Sequence, residues 1–399
     1  MGINVGGNIK TENLVFGYDT GFGVVTNHLT TFHYKGEPTT NQYDNPIFVS
    51  GTSSWTFGSW DGNISYTTET TIGPYGEPIS ALKLSANTTS AYSHFHQSNG
   101  GKYTTGNLYT LSAWVKGKGT IRGRSQWGDN VAFTLNGQWQ YISYTVTAPN
   151  TSNYPYWAAE NLTNGTVCYF TYAQSEQKSH ATPFVNGTRS ATESLYDLSG
   201  NHTIDMSNMV YDSTGQPIQN YGSTYITPVN TRTIDFGSGI SVDIWYKNGG
   251  GTGYYRGVIN NGDSAFRIGG FDIRLGREDY YGGGNNGSSL NGRITTTSED
   301  LTYSSSTSVY ANPNEWHNYT LTYDNYTIRW YKDGEFWGSL NHTAPGPIVV
   351  TGNDITIGVS PGTLEYLDGQ LASVKVYDLQ LSAEEVQQNY NSTKGRFGL

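Results

Sequence analysis

The chain has 399 residues and a formal net charge of −10, which leaves room for two or three domains and argues against the basic patch that nucleic-acid binding requires. No stretch reaches the roughly 18 apolar residues of a membrane-spanning helix, so we expect no membrane insertion. Fifty glycines, 32 tyrosines and one cysteine, Cys168, favour an all-β protein with many turns and exclude an intrachain disulfide.

The chain opens with a polar segment that lacks the apolar core of a secretory signal peptide. We interpret residues 1–12 as an N-terminal anchoring segment of a protein made in a host cytoplasm without such a signal. A strand is predicted next, over Leu14 to Asp19.

Two later regions follow one plan of alternating apolar and polar residues. The first contains YTLSAWVKGKG and GQWQYISYTVT, and the second contains ISVDIWYKNGG and NEWHNYTLTYD. Because alternate residues of a strand share a face, Trp139 and Trp316 lie opposite the other apolar residues of their strands. This pattern predicts two sandwiches, with both Trp strands in the middle of sheets covered on both sides. In the first region Cys168 is predicted to be a small core residue.

The last quarter of the chain carries the strongest local signals. Asp333-Gly334 predicts a two-residue hairpin within TIRWYKDGEFWGSL, and strands are predicted at DITIGVS and LASVKVYD. Ser382 and Glu385 form a capping box that predicts a short helix ending near Tyr390.

The motifs NEWHNYTLTYD, IRWYKDGEFWG, ITIGVS and LDGQLASVKVYDLQLSAEEVQQNYN resemble the second half of concanavalin A-like, laminin G-like lectin/glucanase domains over about 312–390. The resemblance implies a β-sandwich closed by the strand from Leu371, with the helix packed on it and no chemistry assigned to that helix.

A second resemblance concerns bacteriophage virion proteins. The segment AQSEQKSHATPFVNGTRSATESLYDLSGN, the opening ENLVFGYDTG and the ending NYNSTKGRFGL are similar to motifs of tail-associated structural proteins. This resemblance implies a place on the exterior of a phage particle, on the tail or a capsid appendage, and other virion proteins as partners.

Together these observations predict an all-β protein of two jelly-roll-type β-sandwiches with a short C-terminal helix. We expect residues 13–35 and 189–399 to form one discontinuous concanavalin A-like lectin domain. Residues 36–188 are then an inserted jelly roll similar to carbohydrate-binding modules, which is tolerated where domain termini lie close together.

Catalytic chemistry is not expected. Glycoside hydrolysis needs two suitably spaced carboxylates, and the acidic pair with i,i+2 spacing, Asp333 and Glu335, flanks the predicted turn. His94 and His96 share one strand face but bring too few ligands for a structural metal site. Asp197 and Asp263 are the candidates for a structural Ca²⁺, because loop carboxylates suit a hard cation. The interpretation favoured for each is a turn residue that caps its own backbone.

Sugar binding requires exposed aromatic rings beside polar groups. The alternative is that these rings pack in a core or against another subunit. The candidate carbohydrate-binding residues are Trp55, Trp60, Tyr156, Trp157, Tyr254, Tyr255, Asp279, Tyr280 and Tyr281.

The predicted function is a non-enzymatic phage structural protein that assembles with itself, as a trimer, and adheres to host-surface glycans. The alternatives are a free carbohydrate-binding protein and a glycan-degrading enzyme.

Overall fold

The structure, a computed structural model, describes residues 9–21, 34–59, 63–88, 91–97, 102–125, 130–148, 155–211, 217–218, 225–237, 239–249, 256–262, 270–276, 289–298, 306–360 and 365–399. The chain separates into two compact units. One unit contains Pro38–Ser190 and spans nearly the same residues as the predicted insertion, 36–188. The other contains the chain up to Glu37 and most of the chain from Ala191 to Leu399. Among the described residues, no helix is both long and apolar enough to cross a membrane.

The first strand and the strands of the Pro38–Ser190 unit follow in chain order: β1 Leu14–Asp19, β2 Thr39–Thr40, β3 Thr56–Ser59, β4 Ile64–Ile72, β5 Pro78–Ala86, β6 Ala91–His96, β7 Leu108–Lys116, β8 Lys118–Ser125, β9 Asn130–Asn136, β10 Gln140–Thr147, β11 Pro155–Leu162, β12 Val167–Glu176 and β13 Thr188–Arg189.

In the Pro38–Ser190 unit, two antiparallel sheets with the orders β10-β7-β12-β5-β4 and β3-β6-β11-β8-β9 enclose one hydrophobic core. Cys168 is fully buried in this core, as predicted. Strand β10, which carries the predicted Trp139 pattern, lies at a sheet edge and alternates buried with exposed residues. The prediction of a middle strand covered on both sides is therefore wrong for β10, because alternation marks one buried face and says nothing about edge position.

The remaining strands and the helix belong to the second unit: β14 Thr203–Asp205, β15 Val210–Tyr211, β16 Pro217–Ile218, β17 Thr227–Val229, β18 Ile240–Asn248, β19 Arg256–Asn260, β20 Phe271–Gly276, β21 Ser289–Ile294, β22 Ser306–Tyr310, β23 Trp316–Tyr323, β24 Thr327–Lys332, β25 Glu335–Asn341, β26 Thr356–Ile357, β27 Val359–Ser360, β28 Glu365–Tyr366, β29 Gly369–Tyr377 and α1 Ala383–Thr393, with short 3-10 helices at Ala191–Glu193, Thr231–Thr233 and Lys394–Phe397.

In the second unit, the sheets β1-β29-β18-β23-β24-β25 and β22-β21-β20-β19-β26 pack over a core of alternating apolar residues. Strand β23 is internal, as predicted from its pattern. Strand β1 pairs with β29, although the whole other unit separates them in the sequence. The two sandwiches and the C-terminal helix confirm the predicted fold class.

Helix α1 and the 3-10 turn after it cover the outer face of the six-stranded sheet. The helix begins at the predicted capping box, in which the Glu385 backbone N–H donates to Ser382 Oγ and Glu385 Oε2 accepts from the Ser382 N–H. Below it, the Trp245 ring stacks on Phe397 at 4.0 Å and its Nε1–H donates to Thr393 Oγ1 at 2.8 Å. The cap therefore begins the helix at a position from which the buried side chains of the helix contact the sheet.

The same covered face encloses a buried ion pair. Lys375 Nζ donates to Asp243 Oδ1 at 2.9 Å, and the two side chains are 1% and 0% exposed. The other carboxylate oxygen accepts from Thr320 Oγ1 at 2.9 Å and from Asn318 Nδ2 at 3.2 Å. Each carboxylate oxygen of Asp243 therefore has a donor, which is the condition for keeping a charge out of water.

Candidate functional site

The predicted Asp333-Gly334 hairpin joins β24 to β25 and sets the position of Trp337. Both turn residues have positive φ, 52° and 79°, which matches the right-handed twist of the flanking strands. The pairing shifts register after this turn, so Trp330 faces Gly338 and Tyr331 faces Phe336. Trp337 lies in this irregularity on an edge strand, with 51% of its surface exposed.

A lysine connects the Trp337 ring to polar groups. Lys332 Nζ lies 5.6 Å from the centre of the Trp337 ring and 5.8 Å from that of the buried Tyr319 ring. It also donates to Asn312 Oδ1 at 2.6 Å. Burial lowers the pKa of Lys332, which is opposed by the nearby carboxylates of Asp333 and Glu315. The ammonium group is thus held against aromatic rings, where a cation–π contact favours it.

A histidine between two carboxylates completes the polar side of the site. His317 Nδ1 lies 2.6 Å from Asp333 Oδ2, and its Nε2 lies 3.2 Å from Glu315 Oε2. The hydrogen bond with Asp333 raises the pKa of His317 above its ordinary value. Asn312 Nδ2 donates to Glu315 at 2.7 Å, and this bond, followed by the one with His317, lowers the pKa of Glu315.

These groups make one surface, which we call the Trp337 surface: Asn312, Glu315, His317, Lys332 and Trp337. It lies where the chain connecting β22 to β23 meets the β24–β25 hairpin. The exposed indole offers an apolar face, and the neighbouring Lys332 ammonium group links it through Asn312 to the polar groups of Glu315 and His317. That combination suits a sugar ring, whose C–H groups form apolar faces and whose hydroxyl groups lie around the edge.

Three of the predicted aromatic residues lie in described parts of the Pro38–Ser190 unit. Trp157 is fully buried and packs against Tyr144 and Phe170, and Trp55 is also buried, with its ring stacked on Phe48. These rings form the core and are not accessible to a ligand, which corrects the prediction at Trp55 and Trp157. Tyr156 is half-buried and points away from that core.

The remaining predicted residues lie outside the described residues. They are the aromatic and acidic candidates Trp60, Tyr254, Tyr255, Asp279, Tyr280 and Tyr281, and the calcium candidate Asp263. Their roles stay predictions.

The second calcium candidate, Asp197, organises the loop in which it lies. Its Oδ1 accepts from the backbone N–H of Gly17 at 2.9 Å and of Ser199 at 3.2 Å, and its Oδ2 accepts from those of Asn201 and His202, each at 3.1 Å. These contacts correspond to the alternative of a turn-capping carboxylate. Within the described ranges, no group of three or more His, Cys, Asp or Glu side chains is placed to hold a metal ion. Calcium binding stays a prediction.

The sequence contains a local signal for Trp337 that composition does not reveal. Adjacent aromatic residues in a strand point to opposite faces, so the Phe-Trp pair after the Asp-Gly turn puts one ring on each side of β25. Phe336 packs 5.9 Å from Tyr331 on one side, and Trp337 contacts Lys332 on the other. What the sequence does not show is that β25 is an edge strand, where both rings stay exposed.

Comparison with known proteins bears on the second unit. Residues 220–387 match the family model of the concanavalin A-like lectin/glucanases superfamily. Residues 220–387 form a concanavalin A-like domain. This domain contains the whole Trp337 surface. The phage resemblance receives no support from the comparisons, and no curated protein matches the chain.

Several solved structures are similar to part of the chain. The receptor-binding domain of botulinum neurotoxin D is 14% identical, with 51% of each chain covered and a TM-score of 0.38. The binding domain of Paraclostridial Mosquitocidal Protein 1 is 16% identical, with 50% of this chain and 49% of that chain covered and a TM-score of 0.40. The chain thus spans about half the length of these structures, and at such scores the likeness does not extend to function.

Proposed function

We propose that the protein binds glycans without chemical turnover and that the Trp337 surface of the concanavalin A-like domain is a binding site. The observation that carries this proposal is the half-exposed Trp337 ring beside the hydrogen-bonded Asn312, Glu315, His317 and Lys332. A pyranose ring stacked on the indole would bury apolar surface on both partners, and its hydroxyl groups would meet charged and amide groups at the ring edge.

The electrostatics of this surface favour binding over hydrolysis. A glycosidase needs one carboxyl group with a raised pKa to act as a general acid. At the Trp337 surface the pKa of Glu315 is lowered, because Asn312 and His317 both hydrogen-bond to its ionised form. The carboxylate is thus suited to accept hydrogen bonds from sugar hydroxyl groups and poorly suited to donate a proton to a leaving group.

A glycan array with the labelled full chain tests the proposal, with Trp337→Ala as the test variant. Loss of the stacking ring should weaken binding of a neutral-glycan hit by about tenfold or more, which corresponds to about 1.4 kcal/mol or more. Phe336→Ala is the matched control, because Phe336 is a similarly exposed aromatic residue of the same strand on its other side. Equal binding by all three proteins, or no binding by any, would contradict the proposal.

We also propose, from the sequence resemblance alone, that this binding serves adhesion on the exterior of a phage particle. Mass spectrometry of purified particles tests this location separately, since a glycan-binding protein found only in the soluble fraction would correspond to the free carbohydrate-binding alternative. Self-association, with a trimer as the predicted state, is measured by light scattering on the purified chain.

A further inference from the structure

A second surface with ligand-binding chemistry lies in the Pro38–Ser190 unit, on the outer face of the sheet β3-β6-β11-β8-β9. The inner face is identified by its contacts: Gly123 faces the core, where a Cβ atom would come within 2.1 Å of the Tyr144 ring from the opposite sheet. Phe95 and Trp157, its neighbours on the same face, are fully buried. Residues that alternate with these three therefore point outward.

Small residues lie at the centre of this outer face, and Ala158 among them is fully buried. Ala158 of β11 lies in register between His94 of β6 and Arg122 of β8. On the far side of β6, Gly58 pairs with His94, and a Cβ atom at Gly58 would come within 2.2 Å of the imidazole. The His94 ring thus lies across β3, and the side chains around Ala158 cover it and form the surface of this face.

One side of this outer face is aromatic and uncharged at neutral pH. The imidazoles of His94 and His96 are nearly parallel, with ring centres 5.9 Å apart, and the Tyr156 ring meets His94 edge-on at 5.7 Å. Burial lowers the pKa of His94 and, together with the charge of His94, lowers the pKa of His96 to about 4. The half-buried His94 ring therefore offers an apolar face with polar nitrogen atoms at its edge, whereas the His96 ring is buried.

On the other side of the face, two guanidinium groups bind the same carboxylate. Arg122 Nε and Arg124 Nη2 donate to the two different oxygens of Glu160, and Arg122 Nη1 donates to Asn130 Oδ1 at 3.1 Å. The arginine side chains are 26% and 23% exposed, whereas that of Glu160 is 10% exposed. Both guanidinium groups thus keep part of their surface in contact with solvent.

We propose that this face, defined by His94, His96, Tyr156, Arg122, Arg124 and Glu160, binds an acidic glycan. The guanidinium groups would receive the carboxylate of a uronic or sialic acid residue, for which their planar donor geometry is suited. The half-buried Tyr156 and His94 rings would contact the pyranose ring, and the buried His96 ring would support His94 from below. Glu160 orients both guanidinium groups and is a positioning residue. The proposal goes beyond the function of the Trp337 surface and does not depend on it.

Isothermal titration calorimetry of the full chain tests the proposal with four acidic probes, which are oligogalacturonate, oligomannuronate, oligosialate and hyaluronan oligosaccharide, and with neutral maltohexaose. At least one acidic probe should bind more tightly than maltohexaose, and its affinity should fall as NaCl is raised from 50 to 200 mM, because the contact is between charges. Tyr156→Ala and Arg124→Gln should each weaken that binding at least tenfold.

Two control variants keep the outcome clear. Tyr169→Ala removes a half-buried tyrosine from the opposite sheet of the same unit and should leave acidic-probe binding unchanged. Trp337→Ala should also leave it unchanged, which separates this proposal from the proposed function. Circular dichroism establishes that each variant is folded. The proposal is overturned if no acidic probe binds at millimolar concentration, if maltohexaose binds equally well, or if Tyr156→Ala and Arg124→Gln, both folded, bind like the unchanged chain.

Discussion

Two outer sheet faces of this protein combine cations with a carboxylate and differ in what covers them. On the six-stranded sheet, Asp243 and Lys375 lie below helix α1 and are almost completely buried. On the sheet β3-β6-β11-β8-β9, Arg122 and Arg124 hold Glu160 while a quarter of each arginine side chain stays exposed. The described residues of that unit include no helix to cover this face.

The difference shows that an ion pair on a sheet face has a different role when a helix covers that face than when it contacts solvent. When both charges are buried, loss of one partner leaves an uncompensated buried charge. Such a pair is therefore required for the stability of the folded protein. Where the cations still reach solvent, they can exchange water for a ligand group at small cost. Each of the three tests below perturbs one of these faces.

The largest effect is expected at the covered face. Lys375→Ala leaves Asp243 as a buried carboxylate without its cation, which should lower the free energy of unfolding by about 3–5 kcal/mol. Urea unfolding followed by tryptophan fluorescence measures the change. Glu69→Gln, which breaks the more exposed ion pair of Glu69 with Lys83, is the control and should cost about 1 kcal/mol or less. Equal losses in the two variants would show that α1 does not isolate the buried pair from solvent.

A pH dependence is expected at the open face. The pKa of buried His96 is lowered to about 4, against about 6.5 in the unfolded chain, so the unfolded state binds more protons between these values. The contribution of His96 to stability should therefore be fully present above pH 6.5 and decrease as the pH drops towards 4. His96→Gln should remove this part of the acid sensitivity, as measured by urea unfolding at pH 7.5 and 4.5.

His317 supplies a control of opposite sign for that experiment. Its pKa is raised by Asp333, so its contribution is present below pH 6.5 and is lost as the pH rises through the raised value. His317→Gln should therefore cost more stability at pH 5.5 than at pH 8.5. If both histidine variants shifted stability in the same direction with pH, the assignment of a neutral His96 would not stand.

The smallest effect is expected from Glu160→Gln at the open face. Both arginines retain contact with solvent, so losing the carboxylate charge should cost only about 1 kcal/mol in unfolding experiments. A loss of 3 kcal/mol or more would place Glu160 in the same class as Asp243 and would remove the contrast between the two faces.

Local signals in the sequence were sufficient for several elements. The Asp333-Gly334 turn and the Ser382–Glu385 capping box each depend on a few neighbouring residues, and both occur where predicted. The alternation in β10 and β23 showed which residues share a face, but it could not show that β10 is an edge strand and β23 an internal one. Sheet position depends on pairing with distant segments, which alternation does not encode.

The candidate sites were harder to predict, because exposure belongs to the whole fold. Trp157 and Trp337 both lie in strands, yet the first is fully buried and the second is half-exposed at an edge. The sequence by itself determined the all-β class, the turns and the helix cap, since these follow from backbone preferences and side-chain period. Only the tertiary structure decided which outer face is covered and which rings reach solvent, because those outcomes depend on how sheets and helix pack across hundreds of residues.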